Sequence, residues 1–334
     1  MNNKIDFVIT WVDGSDEEWL KDKNKYAKVK IDTTNAVNRY RDMGTLQYWF
    51  RAVEKFAPWV NKIHFVTYGH LPKWLNTDNP KLNIVNHQDF IPKKYLPVFS
   101  ANPIELNLHR IKGLAEQFVF FNDDIFLLKP IEPEYFFKNN LPCDMWRENI
   151  QYCDKNSDPN FERLLLNDKM LICRHFYKKD VIKKFRNKCF NIKYGKRNIR
   201  FLLLNKWPYM AGFDNPHTAS PFLKRIYKEV WDKEYDTLNE TSFAKFRSDT
   251  DVNQYAIQLW QLYSGNFTPK SYKLFGKFFN LSNDNSELFD WIDNQKSEQI
   301  CINDSDPTID YKKVVSDLQK HFAKILPEKS SFEK

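Results

Sequence analysis

The segment FVFFNDDIFL, residues 118–127, decides the fold, because a strongly apolar run is interrupted by two adjacent carboxylates and then resumes. Apolar, β-prone runs are typical of buried strands, and paired carboxylates at a strand end are costly unless they meet a cation or water. In open α/β sheets ligands bind at strand ends, where oxygen ligands suit Mg²⁺ or Mn²⁺. The segment therefore indicates either a metal site that carries a nucleotide diphosphate or an Asn-Asp-Asp turn between two strands. The residues alone support these two interpretations equally.

The composition is that of a globular protein. The chain has 334 residues, enough for a sizeable core, and 16% of them are aromatic while only 8 are glycine. No apolar run reaches the length of a membrane span, and the first residues lack the pattern of a signal peptide. We therefore expect a cytoplasmic protein. Five cysteines at wide, irregular spacings predict reduced thiols rather than disulfides or a structural zinc site.

The net charge of +8 favours anionic partners. Lysine-rich patches lie at residues 177–184 and 193–197. A nucleotide sugar, the lipid-diphosphate anchor of a growing polymer at an acidic membrane face, and nucleic acid would all satisfy such a field. The alternative is that the lysines form an ordinary solvated surface.

Alternating strand and helix patterns predict a layered α/β sheet flanked by helices. Strands are expected at residues 5–12, 63–67 and 82–85, a helix from Leu46 to about Pro58, and a helix at 106–117 that leads into the strand at Val119. After the first strand, Gly14 is expected to take a positive φ, and Ser15 or Asp16 to cap the next helix. Residues 1–130 thus resemble a nucleotide-binding α/β unit.

The rest of the chain is expected to complete one catalytic domain over residues 1–334. Residues 135–215 are interpreted as an irregular insertion on the substrate side. Residues 216–334 are predicted to complete the active site, with helices at 221–231, 251–263 and 311–326 and an apolar step at residues 300–302.

Four segments resemble a known family. They are IDFVITWVDGSD at 5–16; residues 41–124, with APWV at 57–60, VTYGH at 66–70 and NDD at 122–124; Pro216-His217 with FAKFRSD at 243–249; and CIND at 301–304. In this order they resemble the Stealth family of sugar-phosphate transferases. Two departures, at residues 99–103 and at His70, remove no ionisable catalytic candidate.

The resemblance implies a nucleotide-sugar-transferase-like fold and a phosphotransferase activity. A sugar-1-phosphate, either hexose or N-acetylhexosamine, would pass from a UDP-sugar to a hydroxyl of an acceptor glycan and UMP would leave. The product would be a phosphodiester in capsular or cell-surface polysaccharide. The expected partners are the UDP-sugar, a lipid-linked oligosaccharide or glycan acceptor, and the anionic inner face of a bacterial membrane, but no nucleic acid.

Phosphoryl-type transfer needs charge neutralisation and alignment, so carboxylates that hold Mg²⁺ or Mn²⁺ and cations that touch the phosphates are expected. Asp123 and Asp124 are the metal candidates, and Glu105 and Asp124 are candidates for acceptor activation. His217 is predicted to be the general base. Arg247 is predicted to grip the diphosphate.

Further residues are assigned to the donor pocket. His109 and Arg110 follow Glu105 closely enough to share its helix face, and would contact phosphate or orient Glu105. The resemblance assigns the remaining nucleotide-binding positions to Trp11, Asp13, Gly14, Asp16, Arg41, Asn303 and Asp304.

Two rival functions remain open from the residues. A metal-dependent glycosyltransferase would use the same carboxylates, but attack would fall on the anomeric carbon and UDP would leave. A non-catalytic protein that binds anionic polymers would explain the charge and the aromatic content, but not the carboxylates at apolar strand ends.

Overall fold

The computed structural model describes residues 4–27, 40–155 and 157–334. Its strands are β1 (Ile5–Thr10), β2 (Ile63–Thr67), β3 (Leu82–Asn86), β4 (Gln117–Phe121), β5 (Ile125–Leu127), β6 (Phe137–Lys138), β7 (Leu141–Asp144), β8 (Ser220–Leu223), β9 (Thr268–Pro269), β10 (Lys277–Asn280) and β11 (Gln299–Asn303). Its α-helices are α1 (Glu17–Tyr26), α2 (Leu46–Phe56), α3 (His87–Phe90), α4 (Ala101–Asn107), α5 (Pro159–His175), α6 (Lys178–Lys184), α7 (Arg186–Cys189), α8 (Arg197–Leu204), α9 (Lys224–Lys233), α10 (Tyr235–Phe243), α11 (Gln254–Tyr263), α12 (Ser286–Asp293) and α13 (Tyr311–Ile325).

The main sheet has the strand order β3-β2-β1-β4-β8. The first four of these strands are parallel, so their carboxyl ends meet at one edge of the sheet, which we call the carboxyl edge. Strand β8 pairs antiparallel to β4, with Ser220 opposite Phe120. The amino end of β8 therefore also lies at the carboxyl edge.

A second sheet, of order β10-β11-β5, begins where the first one ends. The chain leaves β4 through the turn at residues 122–124, in which Ile125 N–H donates to the Asn122 carbonyl at 3.2 Å, and enters β5. Strand β11 runs antiparallel to β5, and Ile302 N–H donates to the Asp124 carbonyl at 2.9 Å. The end of β11 is thereby fixed beside the carboxylate turn.

Aromatic side chains hold the turn's supporting strand in place. Every residue of β4 is buried, as expected for a strand between two neighbours under helices. The Phe121 ring lies 4.8 Å from that of Phe7 on β1 and 5.4 Å from that of Trp49 on α2, measured between centroids. The carboxylates that follow Phe121 are thus carried by a tightly packed strand.

The α/β class, the layered sheet and most elements agree with the sequence predictions. Strands were expected at β1, β2, β3 and β4 and helices at α2, α11 and α13, and all seven are present; the apolar step at residues 300–302 lies in β11. Asp16 caps α1, since its carboxylate accepts from Trp19 N–H at 2.8 Å. All five cysteines are free thiols. In the part of the chain that the structure describes, no helix combines the length and apolarity needed to cross a bilayer.

The expectation of irregular structure over residues 135–215 was wrong, because α5 to α8 lie there. Only Asp168, Leu171 and Ile172 of the 17 residues in α5 are buried. Many of the apolar residues in this region face outward, which blurs the helical period that a one-sided core contact would produce.

Three local predictions also need correction. The helix expected at 106–117 starts earlier, at Ala101, and ends at Asn107; a turn with Gly113 at φ +80° then leads into β4. Pro221 lies in β8 rather than in a helix, which an edge strand tolerates. Gly14 has no positive φ, and its need for glycine is steric, since a Cβ there would lie 2.1 Å from the Tyr40 carbonyl oxygen.

The buried carboxylate of Asp6 joins three segments at the edge of the sheet opposite the carboxyl edge. It accepts hydrogen bonds from Asn61 Nδ2 at 2.6 Å and Ala115 N–H at 2.8 Å, and lies 3.0 Å from His64 Nε2. Burial alone would raise the pKa of Asp6, but these hydrogen bonds hold it below its usual value. Asp6 therefore stabilises the fold while it is ionised.

We expect Asp6→Ala to lower the free energy of unfolding by about 3 kcal/mol, because buried donors lose their acceptor. Because the folded-state pKa is lowered, the contribution of Asp6 is present above the unfolded pKa of about 4 and is lost as pH falls through the folded value. Urea unfolding at pH 7 and at pH 3 measures both effects. Asp232→Ala, at an exposed position, is the control. Equal stabilities of wild type and Asp6→Ala at pH 7 would contradict the assignment.

Candidate active site

Three polar side chains from different segments meet at the carboxyl edge. Asp124 ends the β4–β5 turn, His217 precedes β8, and Cys301 lies on β11. His217 Nε2 is 3.3 Å from Asp124 Oδ2, and the Cys301 thiol donates to the same oxygen at 3.4 Å. One potential ligand atom from each residue lies within 4.8 Å of the other two. The sheet topology therefore brings together residues that are up to 177 positions apart.

His217 is held from both of its ring nitrogens. Nδ1 lies 3.1 Å from the Tyr255 hydroxyl on α11, and Nε2 faces Asp124 and, at 3.5 Å, Asn122 Nδ2. Burial alone would lower the pKa of His217, but the charge and hydrogen bond of Asp124, with the charges of Glu105 and Asp123, raise it above its usual value. The imidazole is thus oriented, and its protonation follows the charge on the carboxylates around it.

The turn carries more negative charge than its surroundings neutralise. Partial burial and the charges of Asp124 and Asp42 raise the pKa of Asp123 to about 7. Asp124 Oδ1 is buried and has no hydrogen-bond partner among the described residues. An orphaned carboxylate oxygen beside two further carboxylates fits a divalent cation that prefers oxygen ligands.

The thiol of Cys301 does not belong to such a ligand set. Burial and the nearby charges of Asp124 and Asp123 raise the pKa of Cys301 well above its usual value, so the thiolate that soft metals require is disfavoured. Mg²⁺ or Mn²⁺ would be held by the oxygens of Asp123 and Asp124, and the neutral thiol orients Asp124 Oδ2.

Glu105 and Arg247 form the neighbouring part of the site. Glu105, on α4, is buried and accepts from Gln254 N–H. Burial raises its pKa, while the positive charges of Arg247 and His217 act in the opposite direction. The loop that carries Arg247 is fixed by Asp251, which accepts from Ser248 Oγ at 2.7 Å. Glu105, Asp124, His217 and Arg247, predicted from distant segments, thus lie within electrostatic reach of one another.

The segment after β1 forms a compact loop against His70. Asp13 N–H donates to His70 Nε2 at 2.8 Å, and His70 Nδ1 lies 3.7 Å from Asp16 Oδ1. The His70 ring meets Trp11 edge-on at a centroid distance of 5.2 Å. Gly14 packs against Tyr40 as described above. Trp11, Asp13, Gly14 and Asp16 therefore share one loop at the carboxyl edge, and their binding of a nucleotide stays a prediction.

Arg41 connects this side of the molecule to the C-terminal segment. Its guanidinium donates to both carboxylate oxygens of Asp304 at 2.8 and 2.7 Å and stacks over the Tyr311 ring. Asn303 Nδ2 donates to Asn280 Oδ1 at 2.7 Å. Asn303 is the last residue of β11 and Asp304 follows it. Nucleotide contact stays a prediction for Arg41, Asn303 and Asp304.

His109 and Arg110 contact helix α9. The Arg110 guanidinium lies over the Trp231 ring and donates to Asn107 Oδ1, while the buried His109 ring stacks on Tyr227. Burial lowers the pKa of His109 to about 3, so its ring is neutral. These contacts orient the segment after Glu105, and phosphate binding by either residue stays untested.

The sequence reasoning missed two residues of the site. Tyr255 was assigned only to a helix core, and its hydroxyl instead orients His217. Cys301 was recognised as part of a motif, but its contact with Asp124 was not expected. A polar tip on an otherwise apolar helix face is a signal for the tyrosine; nothing in the spacing of the thiol points to its partner.

Two segments match conserved regions of one family. Residues 3–28 match Stealth protein CR1, conserved region 1, and residues 39–144 match Stealth protein CR2, conserved region 2. The chain is also 42% identical to the capsular polysaccharide phosphotransferase WcwK of Streptococcus pneumoniae, over 100% of both chains. The chain belongs to the Stealth family.

Two further relatives of this Stealth chain come from other bacteria. It is 40% identical to the receptor polysaccharide phosphotransferase WefC of Streptococcus oralis over 99% of both chains. It is 36% identical to the exopolysaccharide phosphotransferase cps2G of Lactiplantibacillus plantarum, over 99% of this chain and 96% of the relative.

Among solved structures, the fold is similar to that of the galactosyltransferase LgtC in complex with donor and acceptor sugar analogs. The identity is 11%, the alignment covers 94% of this Stealth chain and 95% of LgtC, and the TM-score is 0.34. A TM-score this low marks only a distant likeness between the two folds.

The raised pKa of Asp123 makes its ionisation unfavourable for folding. We expect Asp123→Asn to raise the melting temperature of the metal-free Stealth chain at pH 8 by about 2 °C or more. Because the folded-state pKa is about 7 and the unfolded value is 3.8, the advantage should grow from pH 4 to pH 7 and then level off. Differential scanning calorimetry over this range measures it.

Asp232→Asn, at an exposed helix position, is the control for loss of one carboxylate. Added Mg²⁺ or Mn²⁺ should raise the melting temperature of wild type and of the control more than that of Asp123→Asn. An unchanged or lower melting temperature of metal-free Asp123→Asn at pH 8 would contradict the strain assigned to this carboxylate.

Proposed function

We propose that this protein transfers a sugar-1-phosphate from a UDP-sugar to a hydroxyl of an acceptor glycan, with release of UMP. Relatives that match it over their full length are named polysaccharide phosphotransferases, which supports a transferase of phosphorus-containing groups. The observation that carries the finer proposal is the approach of His217 to Asp124, whose other oxygen is unpartnered, beside Glu105 and Arg247. This reaction needs a proton acceptor, a cation and a carboxylate that can bind a metal ion. His217, Arg247 and Asp124 would supply them in that order.

In the proposed reaction the acceptor oxygen attacks the phosphorus atom that carries the sugar. The acceptor O–H bond breaks and its proton passes to His217, while the new P–O bond forms. The P–O bond to the UMP phosphate breaks, and UMP leaves with the electron pair. Transfer in a single step of this kind needs no covalent enzyme intermediate, so no nucleophilic side chain is required.

Each charged group has a distinct part in this proposal. Arg247 would grip the diphosphate, and Glu105, buried beside it, would hold the guanidinium in place. A divalent cation on Asp123 and Asp124 would neutralise the diphosphate charge. Once the charge of Asp124 is compensated, the main cause that raises the pKa of His217 is removed, and the ring can accept a proton near neutral pH.

The proposal also assigns the partners. Trp11, Asp13, Gly14 and Asp16 would bind the uridine and ribose, and Arg41, Asn303 and Asp304 would border that pocket. His109 and Arg110 would orient Glu105. The acceptor would be a lipid-linked oligosaccharide or another glycan, and the product a phosphodiester of capsular or cell-surface polysaccharide.

The released nucleotide tests the proposal directly. With a panel of UDP-sugars, Mg²⁺ or Mn²⁺ and a lipid-linked oligosaccharide, we expect UMP and a phosphodiester product by chromatography and mass spectrometry. Asp124→Asn should abolish turnover at a wild-type melting temperature, since it removes a charge with almost no change in volume. A chelator should stop the wild-type reaction, because the diphosphate then lacks its counter-ion.

The control for Asp124→Asn is Asp232→Asn, which should keep full activity. Release of UDP instead of UMP would replace the proposal by a metal-dependent glycosyltransferase. Absence of turnover with salt-sensitive binding of nucleic acid would favour a non-catalytic polymer-binding protein. Near-wild-type activity of Asp124→Asn would overturn the role of that residue.

His217 and Arg247 should give different kinetic defects. His217→Ala should lower kcat by about 10²–10⁴-fold with little change in donor affinity, because a positioned base acts in the transition state. Arg247→Ala should weaken donor binding as well as rate, because a phosphate clamp acts in both the ground and the transition state. Steady-state kinetics against the UDP-sugar from pH 5 to 9 separate the two roles.

The matched controls are His321→Ala on α13 and the half-exposed Arg225→Ala on α9, each of which lies on an element outside the site. Wild-type activity should fall at acid pH as His217 becomes protonated, and His217→Ala should lose this limb of the profile. A His217→Ala variant that mainly raises the donor KM and keeps the wild-type profile would move the base to Glu105 or Asp124.

A further inference from the structure

Helix α8 presents apolar side chains to solvent. Ile199, Leu202 and Leu203 are 62%, 55% and 56% exposed, although the helix is part of a folded domain. Their spacing of three and four places them on one face. Phe201 and Leu204 are buried on the opposite face, where the Phe201 ring contacts Phe190 at a centroid distance of 5.7 Å. The inward face already supplies the packing of α8, so the outward apolar face serves something else.

Three large side chains that flank α8 in the chain are also exposed to solvent. Ile192, Trp207 and Tyr209 are 92%, 58% and 75% exposed. We call these three residues, with Ile199, Leu202 and Leu203, the α8 surface. Scattered apolar residues are normal on a protein, but such a concentration within eighteen residues of chain marks a binding surface. Tryptophan and tyrosine favour the boundary between lipid and water, because one end of each ring system is polar.

Two exposed lysine side chains lie close to the α8 surface in the chain. Lys196 and Lys206 are exposed and form no ion pair within the described residues. Lys196 directly precedes α8, and Lys206 follows the last residue of the helix by two positions. Long lysine side chains can keep the ammonium group in the headgroup region while the stem lies on an apolar layer. The whole chain carries a net charge of +8, which adds to the attraction for an anionic surface.

We propose that the α8 surface docks on an anionic lipid bilayer. Its apolar side chains would enter the boundary of headgroups and acyl chains, and Lys196 and Lys206 would contact the lipid phosphates. An outward apolar face bordered by cations and interfacial aromatic residues is the pattern of a helix that lies in the plane of a membrane surface.

Contacts of two arginines connect helix α8 to segments that lie next to the active site. Asp214 forms ion pairs with Arg197 and Arg200 of α8 and stands three residues before His217. Arg197 also stacks on Tyr272, in the turn before β10, whose Phe278 ring lies 6.5 Å from that of His217. Docking would therefore hold the site beside the bilayer. That this position helps the site to reach a lipid-linked acceptor rests on the proposed function, whereas the binding of the protein to the bilayer does not.

Vesicle flotation of the full chain tests the docking. Wild type should float with vesicles of phosphatidylglycerol and phosphatidylcholine in equal parts, and much less with phosphatidylcholine alone. The double variant Leu202→Gln/Leu203→Gln should lower the partition coefficient by about tenfold or more, since two apolar side chains no longer leave water. Lys196→Glu/Lys206→Glu should remove the preference for anionic vesicles and its sensitivity to salt.

Matched controls keep these outcomes specific. Leu71→Gln replaces an exposed leucine on another segment, and Lys228→Glu/Lys233→Glu makes the same charge change on α9. Both controls should bind vesicles as wild type does. The two α8 variants should also keep the wild-type melting temperature, because the replaced side chains are exposed.

Other occupants of the surface would be recognised in the same experiments. Wild-type vesicle binding by Leu202→Gln/Leu203→Gln, or no binding by wild type, overturns the proposal. A wild-type dimer in sedimentation that this variant dissociates, without vesicle binding, would identify a second copy as the occupant. UMP release from the UDP-sugar in the presence of a water-soluble acceptor tests the proposed function separately, so vesicle binding without turnover would contradict only the proposed function.

Discussion

The parallel pairing of the buried strands β1 and β4 is the constraint on which the site depends. Because both strands run in the same direction, their carboxyl ends coincide, and the loop at Trp11–Asp16 meets the carboxylate turn at Asp123–Asp124. The antiparallel strand β8 then delivers His217 to this edge by its amino end. A reversal of any one of these strands would move its functional side chain to the opposite edge, where Asp6 joins the segments.

The site is rich in negative charge, although the whole molecule is positively charged. A protein with a net charge of +8 gathers Asp123, Asp124 and Glu105 around one histidine and one arginine. Burial raises the pKa of Glu105, and burial together with the charges of Asp124 and Asp42 raises the pKa of Asp123, which is unfavourable for a resting fold. Strain of this kind is common where a ligand supplies the missing charge. A cation with an anionic donor would complete the balance.

The helical region between β7 and β8 contacts the elements that carry the candidate site. It was expected to be irregular, yet α5 packs on α11, which carries Tyr255, and α8 is tied through Asp214 to the loop of His217. Arg197 and Arg200 of α8 pair with Asp214, while Leu202 and Leu203 of the same helix are exposed to solvent. A surface that docks on lipid and a site that acts on a glycan would then move as one unit.

The sequence by itself determined the α/β class and the strands β1 to β3. It also singled out the charged residues that are candidates for the site, because apolar runs, caps and motif residues are local signals. The segment at 118–127 was open between a ligand site and a turn between strands. It is a turn, and it also holds the carboxylates at the sheet edge, so the alternatives were not exclusive. Only the tertiary structure decided that Cys301 and Tyr255 contact Asp124 and His217, that Arg41 pairs with Asp304, and that α8 turns apolar residues outward. Such contacts depend on strand order and on which helix face meets the core, and residues that are far apart in the chain carry no local record of either.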